Sequence, residues 1–268
     1  MGSNGNGNGQ PDPATNLTYT KFVFVLPYHE DAATQTKIRT AGSHISRGFY
    51  NDYDADGSRD VQPQETIQFL TAESAAPGRD GIGAARYVVH LSGNYRPRLQ
   101  EVACELKRRV SGAADIIILD GAERTPRYTS AEMRAFAYKR ALARQSGRVA
   151  CNAIVMPMSK TAEWWEKTAL ERHSYFYPHH EGSSHSPVKG HAKAAESGIR
   201  KVFRRLYHNP DGYQRENEFD FITYFECTDE NIPVFDHICH ALRDKHQNPE
   251  WKYVLEGPEW RGKRVMRW

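Results

Sequence analysis

The sequence has few cysteines, no long apolar run and little excess charge of either sign. Its 268 residues include four cysteines, Cys104, Cys151, Cys227 and Cys239, none of which forms a CxxC pair. This spacing argues against a disulfide framework or a zinc ribbon and predicts buried thiols. No segment reaches the ~20 consecutive apolar residues that a membrane helix needs, and no charged-then-apolar signal opens the chain. We therefore predict a soluble cytoplasmic protein, or a periplasmic one if a leader was removed.

The charges of the chain nearly balance. Lysine and arginine number 36 against 33 aspartates and glutamates, which gives a formal net charge of +3. This balance gives no strong electrostatic reason for nucleic-acid binding. The basic, aromatic stretch 260–268 is compatible with RNA contact, but we interpret it as a solvated tail or a subunit contact. We expect neither nucleic acid nor a membrane as a partner.

The order of patterns predicts an α+β protein with two halves of similar make-up. The Gly/Asn-rich residues 1–16 are predicted to be a disordered leader. The halves are then 17–146 and 147–268, and residues 28–63 are predicted to be a polar, irregular stretch. In the first half we predict strands at 21–27, 66–71, 85–92 and 114–119 and helices at 96–110 and 130–146.

One polar segment, NDYDADGSRD, resembles the opening of a calcium loop. Asp52, Asp54, Asp56 and Gly57 fit the pattern D-x-D-x-D-G. An EF-hand loop needs a bidentate glutamate at its twelfth position, where this chain has Pro63. We therefore interpret the segment as an acidic surface loop.

The second half places a histidine and an arginine where both can reach one ligand. A straight helix from His191 to Arg204 would separate them by ~20 Å, at about 1.5 Å per residue, but Gly198 predicts a break. Arg204 alternates with the apolar Val202 and Leu206, so it shares their side of a strand. We predict strands at 148–158, 200–207, 219–226 and 252–255 and helices at 162–172, 189–197 and 232–246.

Three sequence strings carry a family resemblance. VFRRLYH and DFITYFE, with MPMSKTAEWW upstream and a histidine thirteen residues before an arginine, resemble the chlorite dismutase family of heme b proteins. The resemblance covers roughly residues 147–260. It implies two ferredoxin-like α+β halves that form a dimeric α+β barrel-type fold, with heme b in the C-terminal half, and a homo-oligomer.

The resemblance also implies an activity and a set of site residues. The activity is that of a heme-dependent oxidoreductase, which converts chlorite into chloride and dioxygen through a ferryl intermediate and has peroxidase activity. Carried over position by position, the implied residues are His191 as proximal iron ligand, Arg204 as distal arginine, Thr223 and Phe225 as distal pocket residues, Trp164 and Trp165 as the tryptophan pair beside the heme, Lys160 near a propionate, and Glu250 as the carboxylate that orients the histidine.

Departures from the family pattern leave other functions open. Residues 173–190 and the turn 207–219 are longer than the family's, so the substrate can be a small anion or a small organic molecule. One alternative is a biosynthetic heme enzyme that acts on an organic nitrogen compound, since fold relatives often differ in reaction. Another is a non-catalytic heme-binding protein in which Arg204 pairs with a propionate. The related coproheme decarboxylases have a reactive tyrosine at the position of Met156, which argues against their chemistry.

A histidine-rich segment, HHEGSSHSPVKGH, offers a different metal chemistry. Its His179, His180, His185 and His191 are spaced closely enough to hold zinc or copper. Histidines in such Gly/Ser-rich loops are more often solvated, and we favour the heme interpretation for His191.

Overall fold

The computed structural model describes residues 17–55, 65–72, 80–123, 141–178, 180 and 189–268. The predicted leader 1–16, most of the predicted helix 130–146, and the residues Asp56, Gly57 and Pro63 of the calcium-like segment lie outside the described residues.

The N-terminal half follows a strand-helix-strand-strand-helix-strand order. Its second long helix begins at Arg96 and ends at Val110, as predicted, and buries the five apolar positions of the sequence pattern. The elements are β1 Thr18–Pro27, α1 Ala32–Ile45, β2 Tyr50–Asn51, β3 Glu65–Thr71, β4 Tyr87–Gly93, α2 Arg96–Val110 and β5 Ala114–Glu123.

The C-terminal half repeats this order, but shorter helices connect its first two long strands. The elements are β6 Asn152–Lys160, α3 Ala162–Glu166, α4 Ala169–Ser174, α5 Gly190–Ala195, β7 Phe203–His208, β8 Phe221–Cys227, α6 Ile232–Arg243, β9 Val254–Glu256 and β10 Trp260–Val265.

The strands close into a barrel. The order β10-β3-β4-β1-β5-β7-β8-β6 returns to its start because β6 also pairs with β10, and every pairing in this ring is antiparallel. The N-terminal strands run in the order β3-β4-β1-β5 and the C-terminal strands in the matching order β7-β8-β6-β10. This is the ferredoxin-like arrangement in both halves, and the predicted α+β fold class is confirmed. The predicted boundary at 146/147 stays a prediction.

Three apolar clusters hold the layers together. The barrel interior joins both halves through residues such as Phe22, Val88, Val155 and Trp260. The second cluster packs α1 and α2 on the outer face of the N-terminal strands. The third packs α6 on the outer face of β6 and β8. Each sheet therefore lies between the barrel interior and its own helices.

The barrel interior also contains a buried ionic network. Glu226 is fully buried and accepts hydrogen bonds from Arg144 at 2.5 Å, from Arg264 at 2.9 Å and from Gln68 at 3.1 Å. Arg144 also contacts the Oδ2 atom of Asp52 at 2.5 Å. Burial alone raises the pKa of Glu226, but the two arginines outweigh it and lower the pKa to about 2. The carboxylate therefore stays ionised inside the barrel.

The interpretation of 260–268 as a solvated tail is wrong for residues 260–265, while a subunit contact stays a prediction. Residues 260–265 form β10, which pairs with β3 and so closes one of the two junctions between the halves; the other is the β5–β7 pairing. Trp260 is 1 % exposed and donates from Nε1 to the carbonyl of Ala85 at 2.9 Å, and Arg264 is 2 % exposed. The sequence did not predict this strand from its basic residues, because Arg264 pairs with Glu226, which lies 38 residues earlier in the sequence.

The polar stretch 28–63 contains a helix that the sequence reading missed. The Asp31 carboxylate accepts a hydrogen bond from the N–H of Thr34 at 2.7 Å and begins α1, whose Ile38, Ala41 and Ile45 are buried. Many polar residues separate the apolar positions of α1, so the helical periodicity of apolar residues in the sequence is weak.

The interpretation of the segment NDYDADGSRD as an acidic surface loop is also wrong for Asp52. Asp52 is 3 % exposed and pairs with Arg144, whereas Asp54 contacts Arg148 at the surface. The prediction of buried thiols holds for Cys227 and Cys239 but is wrong for Cys104, which is exposed on α2.

The predicted C-terminal elements differ from the structure in their bounds, by one to four residues for the strands predicted at 148–158, 200–207 and 219–226 and the helix predicted at 189–197, and three others also differ. The single helix predicted at 162–172 is two short helices, because Thr168 forms a capping box with Glu171 and starts α4 afresh. The helix predicted at 232–246 ends at Arg243. The strand predicted at 252–255 is the three-residue β9, Val254–Glu256.

Candidate active site

A cavity lies on the outer face of the C-terminal strands. Its floor is formed by alternate residues of β6, β7 and β8, its sides by α5 and α6, and one end by α3 and the turn before β9. The lining is mostly apolar. The strand residues in it are Met156, Met158, Lys160, Arg204, Leu206, Phe221, Thr223, Phe225 and Val254.

Strand alternation places Arg204 and Thr223 in this cavity. Side chains two residues apart share a face of a strand, and Val202, Arg204 and Leu206 all line the cavity, as predicted. Arg204 pairs with Phe225 across β7 and β8, and Leu206 pairs with Thr223. The floor of the cavity therefore presents the Arg204 guanidinium, the Thr223 hydroxyl and the Lys160 ammonium among mostly apolar side chains.

His191 enters the cavity from α5 and is fixed by a carboxylate. Its Nδ1 lies 2.9 Å from Oε2 of Glu250, whose Oε1 accepts a hydrogen bond from Lys160 at 2.5 Å. Burial alone raises the pKa of Glu250, but Lys160 and His191 outweigh it and lower this pKa. An ionised Glu250 accepts a hydrogen bond from the Nδ1–H of His191, so the proton stays on Nδ1 and Nε2 keeps a free lone pair that can bind a metal.

The backbone before His191 requires a glycine. Gly190 has φ +67°, and a Cβ atom there would lie 2.5 Å from the carbonyl oxygen of Tyr177. The N–H of Gly190 donates to Gln247 at 3.0 Å, and the N–H of His191 donates to Tyr175 at 3.1 Å. This close approach fixes the position from which the imidazole reaches the cavity.

The two predicted tryptophans are not equivalent in the structure. Trp164 is 2 % exposed, lines the cavity and lies beneath the ammonium of Lys160, 4.1 Å from the ring centre. Its Nε1 is buried and has no hydrogen-bond partner among the described residues. Trp165 does not line the cavity; it stacks on Tyr213 at 4.3 Å, and its Nε1 lies 3.3 Å from Asp220.

Lys160 makes two contacts that the resemblance did not imply. Its ammonium contacts Glu250 and the face of Trp164. A lysine held this way acts on the histidine's carboxylate partner, and its proximity to a propionate stays a prediction.

Sequence reasoning missed the wall that α6 contributes. Phe235, Ile238, Cys239 and Leu242 line the cavity from one face of this helix. Their helical spacing indicated a buried face, but such spacing does not say whether a helix packs on a sheet or borders a cavity. Arg172 also lines the cavity, from α4.

The histidine-rich alternative is only partly placed by the structure. His191 lies in the cavity and His180 is exposed. His179 and His185 lie outside the described residues, so a zinc or copper site that uses them stays an open alternative.

Comparison with known proteins identifies the fold. No protein-family model matches the sequence, and no curated protein matches it. Solved structures of chlorite dismutase from Candidatus Nitrospira defluvii do match. Its imidazole complex aligns with TM-score 0.65 and 19 % identity over 92 % of this chain and 91 % of that chain. A double mutant of that enzyme aligns with TM-score 0.66 and 17 % identity over 94 % of this chain and 93 % of that chain. A mutant in complex with cyanide aligns with TM-score 0.64 and 18 % identity over 92 % of this chain and 90 % of that chain.

This chain has a chlorite dismutase-like fold. The likeness covers both halves, although the sequence resemblance covered only the C-terminal one. At this level of identity the likeness shows the fold alone. In the described part of the chain, no helix combines the length and apolarity of a membrane span.

Proposed function

We propose that this chain is a heme b-dependent oxidoreductase of the chlorite dismutase type, which converts chlorite into chloride and dioxygen and has peroxidase activity. The observation that carries the proposal is the His191–Glu250 hydrogen bond of 2.9 Å in the same apolar cavity as Arg204. A homo-oligomer is part of the proposal.

The cavity fits heme in three respects. Its lining is mostly apolar, as a porphyrin ring requires. His191 would hold the iron through Nε2, and the Glu250 carboxylate would increase the electron donation of that imidazole. The buried, unpartnered Nε1 of Trp164 supplies a hydrogen-bond donor at the cavity wall for a polar group of a bound molecule.

The chain's own residues have separate roles in this proposal. His191 holds the iron, Glu250 keeps the proton of the imidazole on Nδ1, and Lys160 fixes Glu250. Arg204 binds the anionic substrate, because a permanent cation with a forked donor set suits small oxyanions. Bound heme supplies the redox chemistry, and the apolar walls formed by residues such as Phe225 exclude water.

Replacement of Arg204 tests this function. An oxygen electrode records oxygen release when chlorite is added to the heme-loaded protein. We expect Arg204→Ala to lower kcat/KM roughly tenfold to a hundredfold, since a charged hydrogen bond contributes about 1.5–3 kcal/mol, while heme affinity is retained. Arg205→Ala is the matched control, because Arg205 faces away from the cavity and lies 3.7 Å from Glu123. The control should leave oxygen release unchanged.

Two other outcomes would redirect the proposal. If Arg204→Ala weakens heme binding instead of turnover, the chain is a heme-binding protein whose arginine pairs with a propionate. If the heme-loaded protein releases no oxygen from chlorite, chlorite is not its substrate. The apolar wall of Phe235, Ile238 and Leu242 then favours an organic substrate, such as a nitrogen compound.

A further inference from the structure

An aromatic cluster leads from the cavity wall towards the protein surface. The ring of Trp164, which lines the cavity, lies 5.6 Å from the ring of Tyr175 and 5.7 Å from that of Tyr253. The two tyrosine rings are 5.6 Å apart, and their hydroxyl oxygens are 3.3 Å apart. Both tyrosines are half-buried, so they reach solvent outside the cavity.

We propose that Trp164, Tyr175 and Tyr253 form an electron-transfer path, and that the tyrosine pair is a surface oxidation site for phenols or aromatic amines too bulky for the cavity. This inference rests on the proposed heme-dependent function. It adds a second place of reaction, at which the electron donor never contacts the heme.

The chemistry of the three side chains supports the path. Indole and phenol are among the side chains most easily oxidised by one electron, and the three rings are in mutual contact. Lys167 lies over the ring of Tyr253, 4.5 Å from its centre, and a hydrogen bond with Tyr253 raises the pKa of Lys167. Each tyrosine carries a phenol proton, and both side chains are partly exposed to solvent. That proton must leave when a tyrosine gives up an electron.

The proposed reaction balances with hydrogen peroxide as the oxidant. One peroxide molecule takes up two electrons and two protons and becomes two water molecules. Each of two phenol donors loses one electron and one proton at the tyrosine pair. The tyrosine releases its hydroxyl proton to bulk water as its electron passes through Trp164, and it regains an electron from the donor and a proton from water.

A second aromatic group nearby lacks this connection. Trp165 stacks on Tyr213, and the hydroxyl oxygen of Tyr213 lies 2.8 Å from Nδ1 of His208. Neither Trp165 nor Tyr213 lines the cavity. Contact with the cavity therefore distinguishes the proposed path from an ordinary aromatic cluster.

Radical trapping tests the path. The heme-loaded protein is mixed with one equivalent of hydrogen peroxide and a nitroso spin trap, and peptide mass spectrometry locates the adducts. We expect adducts on Tyr175 or Tyr253 and none on Tyr95. Tyr95 is 60 % exposed, so an oxidant that diffuses through solution would reach it first. Adducts on Tyr95 at equal yield would overturn the path.

Two variants separate the path from the heme reaction. In Tyr175→Phe/Tyr253→Phe, the heme absorbance should still respond to peroxide, while oxidation of a bulky phenol falls at least tenfold. Trp164→Phe, compared at equal bound heme, should reduce the tyrosine adducts by a similar factor. Tyr95→Phe should change neither measurement. An unchanged rate of phenol oxidation in the double variant would overturn the path alone. A heme absorbance that never responds to peroxide would overturn both the path and the proposed function.

Discussion

The two halves of the barrel share one strand order, but their outer faces are covered differently. In the N-terminal half, α1 and α2 have 14 and 15 residues and bury residues such as Ile38 and Leu99 against the sheet. In the C-terminal half, the described part of the connection from β6 to β7 contains helices of 5, 6 and 6 residues, and α4 buries none of its residues.

Helix length accounts for this difference. At about 1.5 Å per residue, a 14-residue helix is ~21 Å long and can cover a whole sheet face, whereas a six-residue helix is only ~9 Å long. The strands beneath the short helices keep part of their face uncovered, where Arg204 and Thr223 lie. The same topology therefore yields a packed core in one half and a cavity in the other.

Glu226 joins the two halves, and its removal should have the largest effect on stability. Glu226→Ala leaves Arg144 and Arg264 buried without their shared anion. Breaking a buried ion pair by removing one partner costs about 3–5 kcal/mol. We expect a loss of this size in the free energy of unfolding, measured by urea denaturation with heme absent.

Glu105→Ala is the control for this measurement. Glu105 pairs with Arg108 and Arg109 at the surface of α2, where such pairs contribute about 0–1 kcal/mol. If Glu226→Ala and Glu105→Ala lowered the free energy of unfolding by similar amounts, the buried network would not be what joins the halves.

The pH dependence of the same network should be the next largest effect. Because the pKa of Glu226 is lowered to about 2 in the folded protein, its contribution is complete above the unfolded-state pKa of 4.5 and is lost as the pH falls towards 2. This difference between the folded and unfolded pKa of Glu226 corresponds to about 3 kcal/mol of unfolding free energy. In urea titrations, the stability gap between wild type and Glu226→Gln should therefore stay constant from pH 7 to pH 5 and narrow below pH 4.5. A gap that narrows above pH 5 would contradict this assignment.

The fold was predictable where local pattern and burial agree. The apolar spacing of Leu99, Val102 and Leu106 predicted the observed bounds of α2, because the apolar positions of that pattern are buried against the sheet. The strand β10 was not predictable in this way. Its residues Lys263 and Arg264 read as solvated, and only the closed barrel brings the distant Glu226 to Arg264.

The candidate site was predictable in its composition more than in its contacts. The family resemblance pointed to His191, Arg204 and Thr223, and all three line one cavity. It did not separate Trp164 from Trp165, because adjacent residues of a short helix point in different directions and Trp165 stacks on Tyr213, which lies in the turn 207–219 that departs from the family pattern. The roles implied for these residues stay predictions.

A matched pair of isoleucines tests the contrast between packed and open faces. Ile38 on α1 is fully buried, whereas Ile238 on α6 is 8 % exposed and lines the cavity. Ile38→Ala should cost about 2–5 kcal/mol, because it creates a new void in a packed core. Ile238→Ala should cost about 1–2 kcal/mol less, since it enlarges a space that already exists. Equal losses of unfolding free energy in urea denaturation would mean that the cavity is closed by packing in solution.

The smallest effect should come from removing one helix cap in each half. Asp31 caps α1, and Thr168 caps α4 through a capping box. An N-cap contributes about 1 kcal/mol to its helix. Because α1 packs on the sheet and unfolds with it, Asp31→Ala should lower the global unfolding free energy by that amount. Because α4 buries no residue, Thr168→Ala should leave global stability within about 0.5 kcal/mol and instead speed hydrogen exchange in α4 alone. If Thr168→Ala lowered global stability as much as Asp31→Ala, the short helices would be part of the folded core, and the cavity would need another explanation than their length.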